Sequence, residues 1–294
     1  MLRTKQRTAV VVFLLPPLGL YLLAVVGPIL YSLVLSLFEW DGLSDMRFVG
    51  LDNYRQMLFS DDIFWTATGH GLVYLAVSLF FQLVVALMLA NLLTYISRGR
   101  ELVKTVYLLP AIVSTVAIAL MFRRIYSLEP LGLVNAALGA VGLDVLQRPF
   151  LSDLDTVLVA VSAPEGWRFA GLYMLILYAA LIAVPKELEE AARLDGASEW
   201  RVFTQIRFPY IRPVFLTTAI MAATYSLRGF DIPYLLTNGG PGHASELLTT
   251  YMYKTAFTNT DFGYASTLSV FIVLQCIVAV ALILGVRRTG RDAS

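Results

Sequence analysis

The sequence is poor in the residues that build redox and metal centres. It has one cysteine, Cys276, and two histidines, His70 and His243, in 294 residues. A single cysteine excludes an internal disulfide, and so few cysteines and histidines leave no cluster of the kind that binds zinc. The net charge of +1 gives no electrostatic basis for binding nucleic acid. No Gly-x-x-x-x-Gly-Lys segment occurs, so the chain lacks a phosphate-binding loop and is not expected to hydrolyse ATP by itself.

Apolar residues are what the sequence has in excess. They make up 58% of the chain and give a mean hydropathy of +0.72, whereas soluble domains reach roughly 45–50% even with glycine counted. Only helices satisfy their backbone groups within one segment in lipid, and each needs roughly 20 apolar residues to cross the bilayer. We therefore predict an all-α integral membrane protein in which residues 1–294 form a single transmembrane domain. Its six transmembrane helices are predicted at approximately Val10–Phe38, Thr66–Leu93, Val103–Phe122, Leu154–Ala183, Val214–Leu236 and Ala265–Val286.

Basic residues are distributed unevenly between the loops. Most of the 22 lysines and arginines fall before the first run, between the second and third, between the fourth and fifth, and after the sixth. Because loops rich in lysine and arginine stay on the cytoplasmic side, both termini are predicted to be cytoplasmic. An even number of spans leads to the same expectation.

Two of the apolar runs contain polar residues. The fourth is interrupted by Ala163–Gly166, and the fifth is apolar only to Leu227, after which Arg228, Asp231 and Pro233 follow. Polar groups and broken helices at membrane depth are tolerated where protein or a water-filled cavity surrounds them. These segments are therefore either ragged helix ends at the outer interface or the lining of a passage for polar cargo. Arg228 and Asp231 are expected to form an ion pair.

The loop between the fourth and fifth runs, residues 186–209, predicts two short helices. Pro185 suits the first turn of a helix, and good helix formers follow it with acidic residues near the N-terminus. Asp195-Gly196 is a turn signal, and Ser198 can cap a second helix that ends at Pro209. The result is a helix pair joined at a glycine elbow, with apolar residues exposed on the cytoplasmic side. Such a pair needs a partner, which is its own bundle, the membrane surface or another protein.

The same loop resembles the EAA coupling loop of ABC importer permeases. The family pattern is Glu-Ala-Ala, three residues, Gly, nine residues, Ile, one residue and Leu-Pro, and the loop matches it except for Phe208 in place of leucine. In that family the loop docks into a cleft of the ATPase subunit and transmits nucleotide-driven motion to the membrane helices. The resemblance implies a polar contact from the glutamate, close packing at the alanines and a bend at the glycine. The ATPase-coupling residues that it implies are Glu190, Ala191, Ala192, Asp195, Gly196, Ile206 and Pro209.

Three further segments are similar to the carbohydrate-type permeases, which resemble the larger maltose permease subunit. They are Phe48–Tyr54, Phe230–Pro241 and Asp261–Ser266. The resemblance runs over nearly the whole chain and implies a multi-pass protein of the bacterial inner membrane that carries a sugar. A glycan site needs aromatic platforms and small polar side chains, although each candidate below also suits ordinary helix packing. The substrate-path candidates that the resemblance suggests are Ser114, Thr115, Phe169, Leu172, Tyr173, Tyr225, Ser226 and Gly229.

Six spans would form half of a translocation path. The resemblance therefore implies a second homologous permease subunit, two ATPase subunits that carry ATP and magnesium, and an extracytoplasmic sugar-binding protein. The chain itself is expected to lie in the lipid bilayer, to hold no cofactor or metal, and to bind carbohydrate but no nucleic acid.

Two alternatives remain open. The same machine could carry glycerol phosphate or a polyamine, but a phosphate cargo should require basic residues deep in the path, and the predicted mid-span regions show none. An ion-coupled secondary transporter should have a mid-membrane carboxylate or internal inverted repeats, and the sequence is interpreted as having neither.

Overall fold

The computed structural model describes residues 2–289, and the chain is mostly helical, at 75%. The prediction of a helical protein is confirmed, with the addition of a short antiparallel ribbon that pairs Phe38 with Phe48 and Glu39 with Arg47. In chain order the elements are α1 (Leu2–Tyr21), a π-helical turn (Leu22–Val26), α2 (Gly27–Leu35), β1 (Phe38–Glu39), β2 (Arg47–Phe48), α3 (Asp52–Phe59), α4 (Asp62–Leu79), a π-helical turn (Phe80–Val85), α5 (Ala86–Tyr95), α6 (Arg100–Ile112), α7 (Thr115–Ile125), α8 (Leu133–Ala140), a 3-10 turn (Asp144–Leu146), α9 (Val157–Leu181), α10 (Lys186–Leu194), α11 (Glu199–Val202), a π-helical turn (Phe203–Arg207), α12 (Phe208–Leu227), α13 (Asp231–Thr237), α14 (Leu248–Phe257) and α15 (Phe262–Thr289).

Three helical segments are long and apolar enough to cross a membrane. They are Val12–Leu35, Asp62–Tyr95 and Phe262–Gly285, and they overlap the first, second and sixth predicted spans. Few of their residues are buried within the isolated chain. For apolar residues in this number, such exposure fits contact with lipid or with another subunit.

Two further segments qualify only as bent pairs of helices. α6 and α7 meet at 99°, and α9 and α10 meet at 73°. The third predicted span is therefore not one straight helix, because Val113 and Ser114 adopt extended backbone between α6 and α7. The guanidinium of Arg168 stabilises this break, since it donates to Thr115 Oγ1 at 2.8 Å and to the Val113 carbonyl at 3.4 Å. With each bent pair counted as one, the described residues offer up to five spans rather than six.

The fourth and fifth predicted spans also differ from the structure. Ala163–Gly166 does not interrupt a helix, because α9 runs unbroken through Pro164. A proline inside a helix costs about 3 kcal/mol. The helix around Pro164 is closely packed, because a Cβ at Gly166 would lie 2.8 Å from the Cβ of Phe81. The fifth span ends early, since α12 stops at Leu227 and α13 begins at Asp231.

The described residues divide into two compact units. The first comprises the chain up to Phe64 together with Tyr251–Leu274. Within it, the Asp61 carboxylate accepts hydrogen bonds from the hydroxyls of Tyr251 and Tyr264. The side-chain amide of Asn53 donates to two backbone carbonyls, those of Ser36 at 3.0 Å and Phe38 at 2.9 Å. Asn53 and Tyr264 belong to two of the segments that resemble carbohydrate-type permeases. Asn53 thus fixes the backbone at Ser36 and Phe38, and Tyr264 fixes the Asp61 carboxylate.

The second unit comprises Trp65–Thr250 and the chain from Gln275 onward. Its central helix is α9, which packs against α5, α6, α12 and the π-helical turn before α5. Leu93, Met174, Leu177 and Ala222 form part of the fully buried core. Gly171 allows α6 to approach closely, because a Cβ there would lie 1.8 Å from the backbone oxygen of Tyr107.

Candidate coupling loop and membrane cavity

The predicted helix pair and its glycine elbow are present in the structure. α10 ends at Leu194, and Gly196 follows with a φ of +79°, which only glycine adopts without strain. Ser198 caps α11, as predicted, because its hydroxyl accepts a hydrogen bond from the Arg201 amide at 3.4 Å. The turn chemistry read from the sequence therefore matches the local backbone.

Pro209 does not end the second helix, contrary to prediction. The chain stays helical from Glu199 to Leu227, first through α11, then through the π-helical turn and then through α12. In the π-helical turn the amide of Phe208 bonds to the Phe203 carbonyl, five residues back. This shift places Pro209 in the first turn of α12, where a missing N–H is tolerated.

The amphipathic character of α10 is inverted. Leu188, Ala191 and Leu194 repeat every three residues on one face, and all three side chains are exposed. Leu194 is 89% exposed, and Trp200 on α11 is 74% exposed. Glu190 is exposed as well, whereas Glu189 is buried. An apolar face turned away from the helix's own chain is the arrangement expected of a surface that contacts a protein partner or a membrane.

The burial of Glu189 is explained by Arg207, a partner that sequence reasoning missed. Arg207 Nε donates to Glu189 Oε1 at 2.8 Å, and Nη2 donates to Oε2 at 2.7 Å. The two residues lie 18 positions apart on either side of the elbow, and no motif links them. The one signal in the sequence was the number of charged residues in the loop 186–209, which is more than an apolar docking surface needs.

Two of the predicted substrate-path residues, Tyr225 and Gly229, line one cavity. A cavity of about 280 Å³ is lined by Glu165, Tyr225, Arg228, Gly229, Phe230 and Asp231. The ring of Phe169 packs edge-on against Tyr225, with centroids 4.7 Å apart. Ser226 lies on the same helix with its hydroxyl buried and without a hydrogen-bond partner among the described residues. Tyr225, Gly229 and their neighbours Phe169 and Ser226 thus form one group.

The other candidates lie apart from this lining. Thr115 accepts the hydrogen bond from Arg168 at the break between α6 and α7, and Ser114 is exposed at the same break. Tyr173 is buried and Leu172 is partly exposed further along α9, and neither belongs to the cavity lining.

Two expectations about charge near the cavity are wrong. Within the described residues Arg228 and Asp231 form no ion pair. Arg228 Nε instead donates to the Thr224 carbonyl at 3.1 Å. The fourth predicted span does contain ionisable residues, since Glu165 and Arg168 lie inside the unbroken α9. Glu165 is only 4% exposed and lines the cavity.

Comparisons with known proteins identify the family to which the chain is similar. The family model described as the binding-protein-dependent transport system inner membrane component matches residues 82–288, which contain both the loop and the cavity. The probable ABC transporter permease protein YurN of Bacillus subtilis (strain 168) is 36% identical over 283 residues, which cover 95% of this chain and 96% of that protein. The lactose transport system permease protein LacF of Rhizobium radiobacter is 33% identical over 270 residues, covering 90% and 89%.

A solved structure shares the fold. A chain in the crystal structure of a bacterial ABC transporter involved in the import of the acidic polysaccharide alginate superposes with a TM-score of 0.79 at 24% identity, covering 98% of this chain and 96% of that one. The family model matches well over half of the chain, and two relatives exceed 30% identity over nearly all of it. The chain therefore belongs to the family of binding-protein-dependent transport system inner membrane components.

Proposed function

We propose that this chain is the transmembrane permease subunit of an ATP-driven, binding-protein-dependent sugar importer. The inverted amphipathic helix α10 carries the proposal, because Leu188 and Leu194 are exposed there while an acidic side chain is buried. A helix with this arrangement serves a partner protein rather than its own core. Membership of the family indicates that the partner is part of an import machine.

The loop 186–209 is proposed as the element that couples the permease to an ATPase. Glu190 is exposed and available for a polar contact, and Ala191 on the exposed face allows close approach. Gly196 sets the angle between the helices through its positive φ. The remaining members of the motif have supporting roles: Ala192 and Ile206 are partly buried, Asp195 ends α10, and Pro209 opens α12.

A six-span topology with both termini in the cytoplasm is proposed for the single domain of residues 1–294. α12, which is not among the candidate spans, has 20 residues and would extend about 30 Å at 1.5 Å per residue, enough to cross the hydrocarbon. With α12 as the fifth span, the chain crosses the bacterial inner membrane an even number of times. The loop 186–209 then lies on the same side as both termini.

The sugar cargo is supported by the cavity and by a relative. In the cavity lining, Tyr225 and Phe230 offer aromatic surface, and the carboxyl groups of Glu165 and Asp231 offer hydrogen-bonding groups. Glycans present hydroxyls and apolar ring faces that such groups bind. LacF, a permease of a lactose transport system, aligns over 90% of this chain. Ser114, Thr115, Leu172 and Tyr173 are proposed to line the path beyond the cavity.

The complete machine is proposed to contain a second homologous permease subunit, two ATPase subunits and an extracytoplasmic sugar-binding protein. ATP and magnesium would bind to the ATPase subunits, since this sequence has no phosphate-binding loop. Closure of the ATPases would move the loop and shift the bundle between inward-facing and outward-facing states.

The proposal is tested by ATP-dependent uptake of a labelled sugar panel in proteoliposomes that hold the co-purified complex. Glu190→Ala should lower uptake by about tenfold, the effect of losing one interface contact of ~1.4 kcal/mol. Gly196→Pro should abolish uptake, because proline cannot adopt a φ near +79°. Gly142→Pro is the matched control, since Gly142 has a similar φ of +76° in open space and should leave capture of the ATPase unchanged.

Uptake of one sugar class that is lost in both loop variants, while the complex still assembles, would support the proposal and identify the cargo. Normal uptake in both variants would show that the loop is not the coupling element.

A further inference from the structure

The buried side of α10 is fixed by a bidentate ion pair. The two parallel hydrogen bonds between the Arg207 guanidinium and the Glu189 carboxylate are 2.7 and 2.8 Å long. The side chains of Arg207 and Glu189 are only 7% and 12% exposed. Paired hydrogen bonds of this type fix orientation as well as distance. The hydrogen bonds from Arg207 also hold the pKa of the Glu189 carboxyl below its usual range, so the pair is ionised at neutral pH.

The remaining guanidinium nitrogen of Arg207 reaches the end of α5. Nη1 donates to Tyr95 Oη at 2.8 Å and to Asn91 Oδ1 at 3.1 Å. The guanidinium carbon also lies 5.0 Å from the centre of the Tyr95 ring. Arg207 therefore bonds simultaneously to α10 and to the cytoplasmic end of the second predicted span.

These contacts close into a ring of five side chains, here called the polar ring. Tyr95 Oη donates to Glu199 Oε2 at 2.9 Å, and Arg193 Nε donates to Glu199 Oε1 at 2.8 Å. Arg193 Nη2 then donates to Glu189 Oε2 at 3.2 Å. The polar ring thus joins α10, α11, the π-helical turn and α5 around the elbow.

The elbow by itself is a compliant connection. Gly196 has no side chain. Apart from its two chain neighbours, no residue places an atom within 4 Å of the position that a Cβ would occupy. A force applied to the exposed face of α10 could bend the chain at Gly196 without moving a membrane helix. Burying an ion pair is expensive and is weak evidence for stability alone, but a closed polar ring resists this bending.

We propose that Glu189 and Arg207 are positioning residues that transmit displacement of α10 to α5. This inference rests on the proposed role of the loop as the ATPase-coupling element. When the partner moves the exposed face of α10, the bidentate pair carries the movement across the elbow, and Tyr95 and Asn91 pass it to α5. The pair would then determine how much transport results from each ATP hydrolysed, not whether the subunits assemble.

The test compares sugar uptake and ATP hydrolysis in the same proteoliposomes of the complete complex. Glu189→Gln keeps the size of the side chain but removes the charge-assisted pair, and Arg207→Lys keeps the charge but removes the bidentate geometry. In both variants we expect uptake per ATP to fall about tenfold, within the range by which mutations in coupled networks act, while ATP hydrolysis persists. Glu101→Gln is the control, because it breaks only an exposed ion pair with Lys104 and should leave the ratio unchanged.

A distance measurement separates coupling from simple stability. Spin labels at Lys186 on α10, outside the apolar face, and Met88 on α5, both exposed, would be introduced in a Cys276→Ala background. In the parent complex the distance between the labels should keep one narrow distribution with and without ATP. In Glu189→Gln the distribution should broaden or shift between the two conditions.

Unchanged uptake per ATP in both variants, together with unchanged distance distributions, would overturn the inference. If Glu190→Ala nevertheless lowers uptake and Gly196→Pro abolishes it, the loop still couples and only the polar ring is unimportant. If those two variants also transport normally, the proposed function of the loop fails.

Discussion

Among single residues, Glu165 has the most direct consequence for cargo. It lies in α9, is 4% exposed, and shares the cavity lining with one further acid, Asp231, and one base, Arg228. Carboxylates can accept hydrogen bonds from sugar hydroxyls, but they repel an anionic group brought into the same buried space. Because the lining has two carboxyl groups and one guanidinium, we expect neutral sugars to be transported in preference to acidic ones.

Glu165→Gln should relax this selection. The substitution keeps the shape and a hydrogen-bonding group while it removes the ionisable carboxyl group. We expect uptake of an anionic sugar, relative to its neutral counterpart, to rise by about tenfold, since juxtaposed like charges cost more than 1 kcal/mol. Competition uptake with paired neutral and uronic disaccharides measures this ratio. The exposed Asp155→Asn serves as control, and an unchanged ratio in Glu165→Gln would show that the carboxylate does not select cargo.

At the level of elements, α10 and α11 carry the exposed apolar surface. Leu194 and Trp200 are among the most exposed large apolar side chains of the second unit. Neither contributes much to the fold of the isolated chain, because substitutions at exposed sites usually change stability by less than about 0.5 kcal/mol. Under the proposed function, a bound ATPase subunit covers these two side chains.

Truncation of these two side chains should weaken the complex without destabilising the permease. We expect Trp200→Ala and Leu194→Ala each to raise the dissociation constant for the ATPase subunit by about tenfold or more, as hot-spot truncations do. The thermal midpoint of the purified permease should stay the same. Val145, which is 92% exposed outside the loop, provides the control substitution Val145→Ala. A weakened ATPase interaction in the control but not in the loop variants would contradict the assignment of the docking surface.

For the whole molecule, the source of energy separates the proposal from an ion-coupled transporter. The buried Glu165 removes one argument against that alternative, because a carboxylate does lie inside a predicted span. The chain's relatives include a probable ABC transporter permease, which favours ATP as the source of energy.

Uptake should therefore stop when ATP is depleted and continue when an uncoupler dissipates ion gradients. The measurement uses sealed vesicles with ATP trapped inside, with and without the uncoupler. Uptake that survives ATP depletion and fails with the uncoupler would identify an ion-coupled mechanism and assign Glu165 to proton or ion binding. Assembly with the binding protein would then need another explanation.

Local features of the sequence determined much of this protein. Long apolar runs can satisfy their backbone groups in lipid only as helices, so the helices at Val12–Leu35, Asp62–Tyr95 and Phe262–Gly285 were predictable. The elbow was predictable for a similar reason, because positive φ at Gly196 and capping by Ser198 depend on residues close in the chain.

Tertiary structure decided the features that depend on distant residues. Arg168 donates a hydrogen bond to the backbone at the break between α6 and α7, and Gly166, two residues after Pro164, packs closely against Phe81. The pairing of Glu189 with Arg207 arises only when the chain turns back at the elbow. Helix propensity and turn chemistry act over a few residues, whereas a guanidinium, a buried carboxylate or a close helix contact takes its role from whichever segment folds against it.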